Sequence, residues 1–310
     1  MKAKYIMKRM LQVVPILIIV SIGAFVLSNL SAGNSAEITI VNEGGQVNSE
    51  NVKAVNKELG LDKPLYVQYL RWLGKVCSLD LGVSYRSKQP VLDEILSRFP
   101  ATLKLALCAA LLSIVIALLM AVVSVRYRNK WIDHFLRVIS TIGVTIPDFW
   151  LGLLLLYFFA VYLNVFPVIA GDKIRNIFLP AFTLSIGYAA AYTRLLRANL
   201  IEIINCDYMK AARAKGLSES AVIIKHGLKN AVLPCMTLVG SNFGSLVAGN
   251  FVCETIFSWN GIGKYAVESI KAKDFPVIQG YILVVALAFI VLNLIVDICY
   301  IYIDPKIRLE

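Results

Sequence analysis

The sequence predicts an all-α polytopic membrane protein. It expects six transmembrane helices, an extracytoplasmic segment after the first, and a basic cytoplasmic loop between the fourth and fifth. Three observations lead there. Of the 310 residues, 58% are hydrophobic and only 16% charged, outside the range of an ordinary soluble domain. Several apolar runs reach the roughly 20 residues needed to cross a bilayer. The basic residues then gather at alternate ends of those runs. They include Lys2, Lys4, Lys8 and Arg9, then Arg126, Arg128, Lys130 and Arg137, then the central loop, then Lys306 and Arg308. This is the positive-inside pattern, and it puts both termini in the cytoplasm. It also accounts for the net charge of +11 without a nucleic-acid partner.

Residues 1–30 read as a basic start followed by an apolar first span. A signal peptide has a shorter apolar core, usually about 7–15 residues, and a small-residue cleavage site that is not evident here. Pro15 is expected to bend the span. Residues 31–99 form the extracytoplasmic segment, with eight basic and eight acidic residues. Tyr66, Tyr69, Leu70, Trp72 and Leu73 fit one amphipathic helix, and Val91, Ile95 and Phe99 lie at helical spacing in another. The segment suits either a packed cap or part of a docking surface for a receptor.

Residues 100–303 hold the other five spans: Ala101–Val125, Leu136–Tyr162, Ile177–Thr193, Ala231–Ile256 and Pro276–Ile303. The coupling-type loop occupies 196–230, a surface or re-entrant hairpin is expected over Phe257–Phe275, and 304–310 is a cytoplasmic tail. Six cysteines show no CxxC spacing, so no disulfide framework is expected. Four lie in or beside apolar spans, where Cys behaves as a small hydrophobe, and Cys77 lies in the extracytoplasmic segment.

Enzymatic motifs are missing. There is no HExxH, and Gly216-Leu217-Ser218-Glu219-Ser220 lacks the second Gly of GxSxG. Gly261-Ile262-Gly263-Lys264 has the wrong spacing for a phosphate-binding loop, with Tyr265 where Ser or Thr should stand. No catalytic residue and no metal site is expected: His134 and His226 are far apart, and His226 is expected to pack or hydrogen-bond within its helix. Ionisable and amide side chains at membrane depth become candidates for a substrate pathway. Asp148, beside Pro147, reads equally as a helix cap. Asn242 and Asn250 lie in a span rich in small residues, which also suits close helix packing. Glu254 is the fourth pathway candidate, although it and Asp297, nearer span ends, also suit pairing with interfacial cations.

The central stretch reads DYMKAARAKGLSESAVIIKHGLKNAVLP, Asp207 to Pro234. Ala, Lys and Arg favour a first helix. Gly216 supplies a positive-φ turn, Ser218 an N-cap, and Pro234 the start of a new helix. The string Lys210-Ala211-Ala212, then Gly216, then Leu233-Pro234 resembles the EAA loop of ABC importer permeases. The wider wording resembles the dipeptide/oligopeptide/nickel branch, although Lys210 stands where that motif usually has Glu. LGLDKPLYVQYLRWL, DLGVSYRSKQPVLDEI and Asp274-Phe275-Pro276 extend the resemblance over nearly the whole chain, and Trp259-Asn260-Gly261 departs from it only in Asn for Pro.

The resemblance implies a multi-pass subunit of the cytoplasmic (inner) membrane. It implies a second, different permease chain, two ATP-binding subunits and an extracytoplasmic substrate-binding protein, all set in membrane lipid. This chain would bind no cofactor, ATP-Mg being used by the partner ATPases. Lys210, Ala211, Ala212, Arg213, Gly216 and Leu217 would make the contact with an ATPase. The wording of LDKPLYVQYLRWL, IPDFWLGLLLLYFFAVYL and TRLLRANL is most similar to nickel permeases. The central loop is equally similar to dipeptide and glutathione importers. Nickel, as ion or chelate, is therefore the expected cargo, with dipeptides, oligopeptides or glutathione as the alternative. A secondary transporter, a different class, would more often show broken helices in repeated halves.

Overall fold

The computed structural model describes residues 2–31, 48–59, 62–169, 174–248 and 250–303, with positions 40 and 46. The expected tail over 304–310 lies outside the described residues, as do the side chains of Asp297 and of the basic N-terminal residues. Among the described residues the secondary structure is helical throughout, apart from one isolated bridge between Val83 and Pro90. They form two compact units, one within 1–102 and 260–290, the other within 103–259 and 291–310.

In the first unit, α1 (Lys2–Ser31) carries Pro15 inside an unbroken helix. Next come α2 (Ser49–Leu59) and the expected amphipathic helix, α3 (Leu65–Cys77). Tyr69 and Trp72 on α3 meet Phe25 of α1, with ring centroids 5.5 and 5.8 Å apart. Tyr69 and Ser21 share a hydrogen bond between hydroxyls. The helix α4 (Val91–Arg126), which begins in the first unit and ends in the second, continues through Pro100, so the expected junction at 99/100 falls inside a helix. Proline removes one hydrogen bond and crowds the preceding turn. Here Val91 and Ile95 upstream, fully buried against Ile262, Tyr265 and Val277, and Leu105 and Ala106 downstream, also buried, hold the helix on either side. At 1.5 Å per residue its 36 residues span about 54 Å, well beyond a hydrocarbon core of about 30 Å.

In the second unit, α5 (Trp131–Thr145) and α6 (Asp148–Leu156, continued by a π-helical turn Tyr157–Tyr162) are bent by 104° at Ile146-Pro147. Pro147 has no N–H to continue α5, and the residue before a proline is driven to extended backbone; Ile146 has ψ 126°. Glycine allows close packing against α7 (Phe178–Ile203): a Cβ on Gly143 would stand 3.0 Å from that of Ala190. After α8 (Asp207–Ala214), a turn at Glu219–Ala221 and a π-helical turn at Val222–Gly227 lead into α9 (Leu228–Val247). Pro234 therefore lies inside a helix instead of opening one. Ala231 and Cys235, buried on either side of it, keep the helix in register.

The fifth span also ends earlier than expected. Val247 closes α9, and a separate short helix, α10 (Phe251–Ile256), follows. Instead of a hairpin, the segment expected as an outer loop holds α11 (Ile262–Lys271). Its Ile262, Tyr265, Ala266 and Ser269 are buried at helical spacing, a pattern the Asn-Gly turn signal concealed. The last helix is α12 (Phe275–Ile303).

Four helices, Leu11–Asn29, Val91–Arg126, Glu219–Val247 and Phe275–Val296, are long and apolar enough to cross a membrane, and the bent α5–α6 pair would make a fifth. The helix α7 is 26 residues long but insufficiently apolar by the same measure. Its polar Thr183, Ser185, Tyr192 and Thr193 are buried in protein, so this helix does not need a wholly apolar surface.

Candidate functional site

The basic loop is a compact, self-braced V. Its first arm, α8, ends at Lys215, and Gly216 takes φ +78°. No atom lies within 4 Å of a Cβ built there, so the requirement for glycine is conformational alone. Ser218, extended at φ −64° and ψ 148°, caps the second arm by accepting a hydrogen bond from the Ala221 N–H at 3.4 Å. The turn and the cap both fall where the sequence puts them.

The arms are joined by a pair that sequence reading did not single out. Arg213 donates from Nε and an Nη to the two carboxylate oxygens of Glu219, at 3.0 and 2.9 Å. Its other Nη donates to the Ile204 carbonyl at 3.2 Å. The hydrogen bonds from Arg213 hold the Glu219 carboxyl below its usual range. Opposite charges flanking a Gly-Leu-Ser turn were the available signal. Met209, Ala212 and Val222 form a buried core inside the V, and Leu217 packs against it. At the base, Asn230 donates to the Tyr208 hydroxyl at 3.0 Å.

The six candidate contact residues divide accordingly. Lys210, Ala211 and Gly216 are exposed. Ala212, Arg213 and Leu217 are engaged within the loop's own fold. Lys210 donates to the Asp207 carboxylate at 2.8 Å, so the lysine that replaces the usual Glu makes an exposed ion pair one turn back. His226 is exposed on the π-helical turn rather than packed.

The four pathway candidates make different contacts. Asp148 is exposed at the first position of α6, 3.7 Å from where a Gly187 Cβ would stand, and Pro147, not Asp148, holds the cap position. Asn242 donates to the Tyr192 hydroxyl at 3.2 Å. Asn250 precedes α10, and its side-chain nitrogen is buried without a hydrogen-bond partner. Glu254 is fully buried in α10. Trp259 donates its backbone N–H to the Glu254 carbonyl at 2.8 Å.

Known proteins extend this picture to the whole chain. Residues 113–309 match the family described as binding-protein-dependent transport system inner membrane component, and residues 2–106 match that system's N-terminal membrane component. The glutathione transport system permease protein GsiC of Escherichia coli (strain K12) is 38% identical over 304 residues, covering 98% of each chain. Its counterpart in Shigella dysenteriae serotype 1 (strain Sd197) is similar to the same extent. Among solved structures, the MetNI methionine ABC transporter in an inward-facing conformation shares the fold with a TM-score of 0.54 at 16% identity, over 68% of this chain and 96% of that one. An amino acid ABC transporter with histidines gives 0.52 at 16% identity, over 69% and 94%. With nearly all of its length matched, the chain belongs to the ABC importer permeases of the binding-protein-dependent peptide/nickel family.

Proposed function

We propose that this permease carries glutathione or a similarly small peptide across the cytoplasmic membrane, and that nickel is not its cargo. The supporting observation is the 38% identity to glutathione permeases over 98% of both chains. The wording that suggested nickel is confined to three short stretches.

The chain crosses the membrane six times with both termini inside, α7 and the bent α5–α6 pair each making one span. It pairs with a second permease chain, two ATPase subunits and an extracytoplasmic substrate-binding protein. The permease contributes no catalytic group. ATP-driven closure of the ATPases moves the V-shaped loop and alternates access to the pathway. Lys210, Ala211 and Gly216 supply the exposed contact, while Arg213 and Glu219 keep the loop rigid enough to transmit force. Asp148, Asn242, Asn250 and Glu254 remain the pathway candidates.

Uptake of labelled glutathione, a labelled dipeptide and labelled nickel, in cells co-expressing the whole system with and without this chain, tests the reading. Chain-dependent glutathione or dipeptide uptake that excess nickel leaves unaffected is the expected result. Chain-dependent nickel uptake with no peptide uptake would overturn it.

A further inference from the structure

A polar pocket of about 290 Å³ lies between α5, α7 and the end of α4. Water occupies about 30 Å³ per molecule in the liquid, so the space exceeds what a lone ion requires. Three arginines line it: Arg137, Arg194 and Arg197. Two of them, Arg137 and Arg197, share Asp133 as counter-charge, and that carboxylate is fully buried. Asp133 accepts two hydrogen bonds from Arg197 at 2.8 Å, one from the Ser124 hydroxyl at 2.5 Å and one from the Asn129 N–H at 3.1 Å. Arg137 lies 3.8 Å from the same carboxylate and also touches His134. Arg194 is exposed and has no carboxylate partner among the described residues. One carboxylate thus serves two of the three guanidinium groups, and against it the three arginines leave an excess of two positive charges.

The depth of the pocket narrows the ligand. Trp131, 74% exposed, and Phe135 beside it stand at the start of α5, where aromatic side chains mark the boundary between lipid and water. Arg137 and Arg197 both reach towards Asp133, two residues beyond Trp131, which on the topology proposed above sets their charged ends at headgroup level. Val138, Ile139 and Ile142 continue α5 as an exposed apolar strip suited to acyl chains. Guanidinium groups bind phosphate oxygens with paired, charge-assisted hydrogen bonds, and basic pockets between membrane helices recognise anionic headgroups.

We propose that this pocket binds the phosphate of an anionic phospholipid headgroup and so ties α5 to α7 at the membrane surface. The assignment to the cytoplasmic leaflet rests on the topology proposed above. The lipid test uses neither cargo nor ATP, so its failure is separable from failure of the transport reading.

The full chain, purified in detergent and stripped of lipid, is mixed with phosphatidylglycerol or phosphatidylethanolamine and examined by native mass spectrometry. Preferential retention of phosphatidylglycerol is expected. Arg194→Gln should lower that retention roughly tenfold, the order of one charge-assisted hydrogen bond, with Arg194→Lys intermediate. Equal retention of the two lipids, or unchanged phosphatidylglycerol retention by Arg194→Gln, overturns the proposal. Binding of inorganic phosphate that phosphatidylglycerol cannot displace would assign the pocket to a free anion instead. Loss of ATPase co-purification in Arg194→Gln, with lipid retention intact, would assign it to an acidic protein surface. If Arg194→Gln does not fold, Arg137→Gln takes its place, because Arg197 still neutralises Asp133 there.

Discussion

The Ser84 hydroxyl donates to the Asp274 carboxylate at 2.5 Å across 190 positions of sequence, and both residues are buried. Asp274 also accepts the backbone N–H groups of Tyr85 and Arg86, at 3.1 and 3.3 Å. One carboxylate therefore fixes the turn that begins α4 to the start of α12. Leaving a buried donor unpaired costs about 1–3 kcal/mol. Asp274→Ala is expected to lower the unfolding midpoint of the purified chain markedly. Asp274→Asn, which keeps one acceptor oxygen, should lower it less. Equal midpoints for Asp274→Ala and the parent would show that this carboxylate holds nothing together.

Gly216 separates backbone from packing in the loop. Its φ of +78° is closed to proline, whose ring fixes φ near −65°. Gly216→Pro should insert normally and fail to couple ATP hydrolysis to uptake. Asn visits the left-handed region more readily than other non-glycine residues, and open space surrounds the position. Gly216→Asn should therefore keep most transport, and Gly216→Val should lose it. ATP-dependent uptake in vesicles, normalised to protein inserted, checks the series. Normal uptake by Gly216→Pro would remove the loop from the coupling mechanism.

Most of the helical layout was legible in hydropathy, and the loop turn in the run Lys215-Gly216-Leu217-Ser218, because both depend on local chemistry. Prolines misled for a physical reason. Pro147 breaks its span by 104°, whereas Pro100 and Pro234 lie inside continuous helices. The difference is set by neighbours far away in sequence, such as Ile262 and Val277 against Val91 and Ile95. The ion pairs that brace each region were equally hidden. Asp133 meets Arg197 across 64 positions, and no local pattern announces such a partner. Cargo was illegible for another reason: nothing in the short stretches read for it identifies a group that grips a substrate.

The pair Arg213 and Glu219 offers a graded test of loop rigidity. Each side chain is about one-third exposed, so the pair itself should contribute only about 0.2–1 kcal/mol. Arg213→Ala should cost more than Glu219→Gln, because it also leaves the Ile204 carbonyl without its donor. Exchanging the two residues should recover only part of the loss. The Glu219 carboxyl titrates below its usual range, so its contribution is present above the ordinary carboxylate pKa and disappears as pH falls through the lowered value. A double-mutant cycle on unfolding midpoints at neutral pH, repeated in acid, measures both effects. A coupling that persists in acid would contradict the ion-pair account.

The contact between α9 and α12 depends on an absent side chain. A Cβ at Gly240 would lie 2.2 Å from Cγ1 of Val296, a separation that real atoms do not adopt. Small residues permit helices in lipid to approach this closely, and overfilling such a contact costs about 1–3 kcal/mol. Gly240→Ala should lower the unfolding midpoint, and Gly240→Leu should do so more severely. Val296→Ala removes the atoms that clash, so Gly240→Ala combined with Val296→Ala should be more stable than Gly240→Ala alone. Rescue of this kind requires that the two residues touch, because distant substitutions add independently. Strict additivity of the two midpoint shifts would show that α9 and α12 do not meet here.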